Sequence, residues 1–214
     1  MNSLDHIVIA AGTLTQGVEY LQNKLGVEIP RGGCHHSMGT HNHLMRLGNE
    51  AYLELIAIDP AADPPEHPRW FALDEARMRE SLRQQPRLIT WVMNTPDIHE
   101  MATRNSLDIG RPAELTRDSL RWTIALPDDG RLLNGGLLPY CIQWHSSPHP
   151  SRNMADLGCV LKKVTLHHNR PTWLADQLTM LGASHLVETE ALPDDVSPYL
   201  SASIETPDGV VTLP

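Results

Sequence analysis

The chain has 214 residues, 41% hydrophobic and 20% charged, so it can form one large domain or two small ones around a sizeable core. A formal charge of −9 without a cluster of Lys and Arg argues against a nucleic-acid or anionic-membrane partner. The sequence has no apolar run near the roughly 20 residues that cross a bilayer, and its amino terminus lacks a signal peptide's basic region. Its three cysteines form no CxxC pair, which disfavours a disulfide framework, and we expect a cytoplasmic protein.

A strand followed by a helix occurs three times along the chain. The residue that opens each strand and the glycine that closes each helix are, in order, Leu4 and Gly26, Leu88 and Gly110, and Leu161 and Gly182. Glycine is favoured at the carboxyl end of a helix because it adopts positive φ without a steric penalty. The repeat predicts a fold built from similar modules.

Module one is predicted over residues 1–60. Thr13 caps its helix, and a short strand with loose ends follows in residues 32–40. The next two strands are predicted at 43–47 and 51–58, joined by a turn at Gly48-Asn49-Glu50 that suits a hairpin. The module therefore has the order β-α-β-β-β.

Residues 61–87 are predicted as a Pro-rich loop and a connector helix, the latter over 72–85. Module two follows over residues 88–150, with its helix at 96–107 and strands near 113–117, 120–125 and 138–145. A third, shorter module is predicted over 158–214, with its helix at 172–181 and strands near 185–190, 200–205 and 210–213.

Several short segments resemble the vicinal-oxygen-chelate superfamily (glyoxalase, bleomycin resistance and dioxygenase proteins), and within it the glyoxalase-like domain group. The residues that carry the resemblance are Leu4-Asp5-His6-Ile7-Val8, Gly32-Gly33, Gly39-Thr40-His41-Asn42, Tyr52-Leu53-Glu54-Leu55-Ile56, Leu137 to His145, and Pro148-His149-Pro150. The resemblance covers most of the chain and involves all three modules.

The resemblance implies an α+β fold in which repeated βαβββ modules pair their curled mixed sheets around a cupped cavity. It also implies a divalent metal in the cup, held by residues of the first and last strands of the paired modules. Members of the superfamily include isomerases, lyases, epimerases, ring-cleaving dioxygenases and metal-free binding proteins, so the fold alone does not name the activity.

Strand alternation predicts which side chains face the cup. On the first strand, His6 lies on the face opposite to Ile7, and on the last strand of module one Tyr52 and Glu54 lie opposite to Leu53. A buried carboxylate needs a cation or several hydrogen bonds, and imidazole plus carboxylate suits Zn, Mn, Ni, Fe or Co. We predict His6 and Glu54 as metal ligands. The alternative is that they bond to each other or to substrate without a metal.

Module two is predicted to complete the site only weakly. Thr90 matches His6 and is expected to contact a metal-bound water or substrate, while Gln143 matches Glu54 and is the predicted third ligand. His145, two residues further on, is a possible replacement and is assigned to substrate binding. In module three the matching position holds Lys163, which indicates no metal there.

Module one also carries a cluster of histidines. We expect His35 and His36 to be solvated turn residues. His41 and His43 share one strand face and could line the cavity, so His41 is a candidate general base and His43 a candidate substrate contact. The resemblance also makes Asn42 a pocket residue.

The first functional hypothesis is a metal-dependent lyase or isomerase that chelates a small oxygen-rich substrate and stabilises an enediolate-type anion, with Glu54 moving a proton. The alternative is a metal-free small-molecule binding or resistance-type protein, and a weaker one is a ring-cleaving dioxygenase. We expect no nucleotide cofactor. An odd number of modules leaves a sheet edge to cover, which favours a homodimer.

Overall fold

The computed structural model describes residues 1–48, 50–104 and 107–214, and over these the chain is α+β, as the sequence predicts. In chain order the strands and helices of these residues are β1 (Ser3–Ala10), α1 (Leu14–Leu25), β2 (Arg31–His35), β3 (Thr40–Arg46), β4 (Tyr52–Ile58), α2 (Ala76–Gln84), β5 (Arg87–Asn94), α3 (Ile98–Arg104), β6 (Arg111–Arg117), β7 (Leu120–Leu126), β8 (Tyr140–Trp144), β9 (Val160–His168), α4 (Pro171–Met180), β10 (Glu188–Ala191), β11 (Tyr199–Thr206) and β12 (Gly209–Leu213).

Helix α1 begins and ends where its sequence predicts. The Thr13 hydroxyl accepts a hydrogen bond from the backbone N–H of Gln16, and Gly26 closes the helix at a φ of 71°. The helix packs closely on β4, because a Cβ at Gly17 would lie 2.4 Å from the Leu55 side chain. Leu55 therefore marks the outer, helix-covered face of the sheet.

Modules one and two form one eight-stranded sheet in the order β2-β3-β4-β1-β5-β8-β7-β6. Strands β1 and β5 run antiparallel at its centre, where Ile7 pairs with Trp91, His6 with Val92 and Val8 with Thr90. This register relates the two modules by a local two-fold axis that exchanges His6 with Thr90. The predicted pairing of two βαβββ modules through a shared sheet is confirmed.

The sheet curls until its two edge strands approach each other. Arg117 at the end of β6 places Nη1 3.3 Å from Nε2 of His35 at the end of β2. Since β2 and β6 are the first and last strands in the sheet order, this contact spans the opening of a half-barrel. The inner face of the sheet thus lines the predicted cup.

Module three forms a separate four-stranded sheet in the order β10-β9-β11-β12. Its elements follow the order β-α-β-β-β, but its strand order differs from module one, because β10 runs parallel beside β9 and β11 pairs on the other side. Asn2 ties it to β1 by donating to the Leu181 carbonyl at 3.0 Å. The expected homodimer stays a prediction.

Several predicted boundaries shift for local reasons. Phe71 and Ala72 have φ values of 59° and 56°, which a right-handed helix excludes, so α2 begins at Ala76 and not at residue 72. Residues 36–38 form a 3-10 turn that separates β2 from β3. Residues 105 and 106 of the helix predicted over 96–107, and Asn49 of the predicted hairpin turn, lie outside the described residues. In the described ranges, no helix is both long and apolar enough to traverse a bilayer.

Candidate active site

A β-bulge in β1 brings two adjacent side chains to the inner face of the curled sheet. The pairing of β1 with β5 passes from Leu4 directly to His6, which leaves Asp5 as the extra residue. A bulge interrupts strict alternation and re-aims side chains. As a result, His6 stacks on Tyr52, with ring centroids 4.4 Å apart, while Asp5 reaches the same group of residues.

Asp5 is fully buried and holds three partners. One carboxylate oxygen lies 2.6 Å from Nδ1 of His6, and the other lies 2.9 Å from Nε2 of His149 and accepts from the indole N–H of Trp144 at 2.8 Å. Burial by itself would raise the pKa of Asp5, but these hydrogen bonds and the histidine charges outweigh it and lower the pKa to about 2. The carboxylate is therefore ionised and can only accept.

The ionised Asp5 fixes the orientation and tautomer of His6. Because an ionised carboxylate cannot donate, Nδ1 of His6 carries the shared hydrogen. The other ring nitrogen, Nε2, is then directed at Glu54 and lies 3.6 Å from its Oε2. This distance exceeds the usual N–H···O range of about 2.7–3.2 Å.

Glu54 is buried on β4 and is held by a second chain of hydrogen bonds. Asn42 donates from Nδ2 to Glu54 Oε1 at 2.6 Å, and the backbone N–H of Gly33 donates to Asn42 Oδ1 at 2.9 Å. A Cβ at Gly32 would lie 2.2 Å from Asn42 Oδ1, so the approach of β2 requires glycine there. Glu54 Oε2 is left facing His6.

The His6–Glu54 pair fits two positions of a metal site. Two ligand atoms on a tetrahedral zinc are roughly 3.4 Å apart, since each lies about 2.1 Å from the ion. The hydrogen bond from Nδ1 of His6 to Asp5 is the outer partner that metal-binding histidines usually have. Among the described residues, no group of three or more His, Cys, Asp or Glu side chains could hold a metal ion, so other positions would fall to water or substrate.

A cavity of about 620 Å³ opens between β2 and β6, lined in part by His35, Arg117 and Trp122. His35 was expected to be a solvated turn residue, and this expectation is wrong. The ring is half-buried, packs edge-on against Trp70, and contacts Thr40 and Arg117. Burial lowers its pKa to about 4; the negative charge of Glu54 opposes that shift, while Arg117 adds to it. His36, in contrast, is exposed in the 3-10 turn.

The structure places His41 and His43 on the outer face of the sheet. In the β3–β4 pairing His43 lies opposite Leu55, which packs on α1, whereas Asn42 on the other face bonds to Glu54. His43 bonds through Nδ1 to the Ile29 carbonyl, and His41 lies 3.8 Å from Asp59. The two histidines share a face as predicted, but it is not the face of the cup.

Gln143 and His145 also lie away from the cup. Gln143 accepts from the backbone N–H of Ile98 at 3.1 Å and donates to the Pro96 carbonyl at 2.8 Å, so it holds the start of α3. His145 is exposed and bonds to the Thr123 hydroxyl at 2.7 Å. The prediction that Gln143 is a metal ligand placed like Glu54 is therefore wrong.

The residue of module two that corresponds to Glu54 is Tyr140. Glu54 pairs with Val8, and the local two-fold converts this pair into Tyr140 with Val92. The Tyr140 hydroxyl is already engaged, since it donates to the Arg131 carbonyl and accepts from a backbone N–H. Thr90 corresponds to His6 as predicted, but its hydroxyl donates to the Gly136 carbonyl at 3.2 Å.

Sequence reasoning assigned no role to Asp5, His149 or Arg117. Asp5 stands beside His6 in the first motif, and His149 lies in a quoted segment, so both could have been considered. The obstacle for Asp5 was the bulge, because simple alternation places it on the outer face. Arg117 had no signal beyond its charge, since only the curl of the sheet brings it to His35.

Comparison with known proteins identifies the family. Residues 4–182 match the model of the glyoxalase-like domain, and the chain therefore belongs to the glyoxalase-like domain family. No curated protein matches the sequence. This confirms the predicted family.

Solved structures share the fold at low sequence identity. A hypothetical protein from Staphylococcus aureus is 14% identical, with a TM-score of 0.59 over 99% of this chain and 84% of its own. Methylmalonyl-CoA epimerase from Mycobacterium tuberculosis is 17% identical, with a TM-score of 0.42 over 68% of this chain and 89% of its own. These likenesses concern architecture and do not carry an activity over to this chain.

Proposed function

We propose that this protein is a metal-dependent lyase or isomerase that acts on a small oxygen-rich substrate in the cup. The observation that supports this proposal is the array of Asp5, His6 and Glu54, in which Asp5 orients the imidazole and Nε2 faces a buried carboxylate oxygen 3.6 Å away. In that position His6 and Glu54 would hold the metal. A divalent ion there (Zn, Mn, Ni, Fe or Co) would supply Lewis-acid stabilisation of the negative charge on an enediolate-type substrate.

Glu54 is the residue that would move the proton. Asn42 donates to Oε1, so the carboxylate is held in one orientation and Oε2 is left facing His6. A buried, oriented carboxylate is suited to take a proton from carbon beside a carbonyl, provided the substrate sits within hydrogen-bond reach. His41, the other predicted base, lies on the opposite face of the sheet.

Metal content is the first test. Wild type, H6Q, E54Q and the control H43Q are purified without chelator, equilibrated with each of the five ions in turn and measured by elemental analysis. We expect close to one ion per chain in wild type and H43Q, and loss in H6Q and E54Q, because His6 and Glu54 face each other while His43 lies on the outer face of the sheet. Wild type that holds none of the five ions, or H6Q that retains its ion, would contradict the proposal.

Proton transfer is the second test. Exchange of carbon-bound hydrogen in deuterated water is followed by NMR with a panel of 2-oxo and 2-hydroxy acids. We expect metal-loaded wild type and H43Q to catalyse exchange, and E54Q to lose it by about a hundredfold or more. Equal exchange by E54Q and wild type would remove Glu54 from this role.

A metal-free small-molecule binding protein is the second candidate. The observation in its favour is that the residues of module two compared with His6 and Glu54 are engaged elsewhere, because Tyr140 and Thr90 bond to backbone groups and Gln143 holds α3. Thermal-shift measurements separate the two candidates. Stabilisation by metal ions favours the enzyme, and stabilisation by organic ligands without any metal effect favours the binding protein.

A further inference from the structure

Arg117 brings a positive charge to the cavity without a carboxylate partner. It is half-buried at the end of β6, and among the described residues no carboxylate oxygen forms an ion pair with it. The other arginines of the β6–β7 hairpin differ, since Arg111 pairs with Asp128 at 2.9 Å and Arg121 lies 3.9 Å from Glu114. The described residues thus leave the guanidinium without an anionic partner, and a bound anion can supply one.

His35 uses only a small part of the Arg117 guanidinium. The group contacts His35 through Nη1, and the low pKa of His35 keeps that ring neutral near pH 7, so its Nε2 accepts. Nδ1 of the same ring lies 3.2 Å from the Thr40 hydroxyl and can donate a hydrogen bond to it. A guanidinium has five N–H donors in a planar fork, so an edge remains that can bind a carboxylate through two parallel bonds.

The remaining charges on the cavity wall stand at its outer rim. Glu114 and Asp118 line the cavity but are exposed, and Glu114 alternates with Arg117 along β6 so that it points to the other side, towards Arg121. Charge along the cavity therefore changes from negative outside to positive inside. An anionic group that enters the cavity can bind to the guanidinium of Arg117.

Arg117 also lies close to the proposed catalytic cluster. A Cβ at Gly33 would lie 3.1 Å from Cδ of Arg117. The backbone N–H of Gly33 donates to Asn42, which in turn donates to Glu54 Oε1. Gly33 and Asn42 therefore connect the wall of the cavity beside Arg117 to Glu54.

We infer that Arg117 recognises a carboxylate of the substrate, so that the cavity takes a small carboxylic acid with a further oxygen on the neighbouring carbon. The further oxygen on the neighbouring carbon rests on the proposed function, in which the substrate's oxygen pair lies at His6 and Glu54. Recognition of the carboxylate requires only the cavity and the charge of Arg117. We favour a carboxylate over a phosphate because a phosphate dianion usually gathers more than one cation, and Arg117 is the one Lys or Arg among the described residues that line the cavity.

The inference is tested by ligand titration followed through tryptophan fluorescence, because Trp122 lines the cavity and Trp70 packs on His35. The ligands are pyruvate, lactate and malonate, each beside its neutral amide, and inorganic phosphate. The variants are R117Q and the control R121Q, which removes the same charge from the same hairpin outside the cavity. All titrations use EDTA-treated protein, so the result does not depend on whether a metal binds.

We expect at least one of the three acids to bind saturably to wild type and R121Q, and to bind R117Q about tenfold or more weakly, with no binding of its amide. Absence of binding by all three acids, equal binding by R117Q, or equal binding of acid and amide would overturn the inference. Tighter binding of phosphate than of the acids would overturn the carboxylate assignment. Loss of metal binding in wild type would leave this result unaffected and would contradict only the proposed function.

Discussion

Trp144 donates its indole N–H to the Asp5 carboxylate at 2.8 Å, although 139 positions separate the two residues in the sequence. Trp144 is the last residue of β8, which is the last strand of module two, and Asp5 lies in β1, which is the first strand of module one. Asp5 in turn fixes Nδ1 of His6. The orientation of the proposed metal ligand in module one therefore depends on module two, which itself contributes no ligand to the described cluster.

Replacement of Asp5 should cost stability in a pH-dependent way. The pKa of this buried carboxyl is lowered from 3.8 to about 2, so its stabilisation is present above pH 3.8 and is lost as the pH falls through 2. We expect D5N to be less stable than wild type by about 2 kcal/mol at pH 6, with the gap narrowing towards pH 2.5. Urea unfolding at pH 6, 4 and 2.5 measures the gap.

The matched control for D5N is D176N, which removes the charge of an exposed aspartate on α4. Its stability should stay within about 0.5 kcal/mol of wild type at each pH. A gap between wild type and D5N that does not change with pH would show that Asp5 acts through packing and not through its charge.

The titration of His35 should report the contact with Arg117. Burial and the nearby guanidinium lower the pKa of His35 to about 4, so its ring should stay neutral until the pH falls well below 6.5. We expect its imidazole C–H resonance to titrate near pH 4 by NMR, with H35Q identifying the signal. In R117Q the midpoint should rise but remain below 6.5, because burial persists. A wild-type midpoint near 6.5 would mean that the ring is solvated.

Gln143 should matter for stability and not for the site. Q143A removes the side-chain acceptor of the Ile98 N–H at the start of α3, which should lower the free energy of unfolding by about 1 kcal/mol. Metal content should equal that of wild type. The control Q84A, at an exposed position of α2, should change stability by less than about 0.5 kcal/mol. Loss of metal in Q143A would return Gln143 to the ligand set.

Two adjacent glycines should respond differently to alanine. Gly136 has a φ of 96°, and a Cβ there would lie 1.8 Å from the Ile89 carbonyl oxygen, so G136A must displace backbone and should cost about 3 kcal/mol or more. Gly135 has a φ of 64° and nothing within 4 Å of its Cβ position, so G135A should cost only about 1–2 kcal/mol. Equal losses in urea unfolding would mean that the loop moves away from β5.

The sequence was sufficient for the module order and for part of the site. Alternation correctly placed His6, Glu54 and Tyr52 on one face, because the pairing of β1 with β4 is regular from His6 to Ala10. Asn42 was predicted from the resemblance and lies on the same face. Alternation failed for Gln143 because the matching position depends on where β8 begins, and a loop with left-handed residues delays that strand to Tyr140. A shift of three residues reverses the face of every side chain in a strand.

Other parts of the site depend on geometry that no local pattern encodes. His41 and His43 share a face, but which face meets the cup is decided by their pairing with Ala57 and Leu55, which lie in the next strand of the sheet. Arg117 and His35 come into contact because the twist between neighbouring strands adds up across all eight strands of the sheet. Curvature of a large sheet accumulates over many residues, so it cannot be read from a short motif.

The meeting of β2 and β6 also has a consequence for the behaviour of the protein in concentrated solution. An open sheet exposes an unpaired row of backbone groups at each edge, and such rows are where further chains add and aggregates begin. Here the two edges face each other across Arg117 and His35, so each limits the access of a foreign strand to the other. The curl that forms the cavity thereby also works against the pairing of further strands with the edges of this sheet.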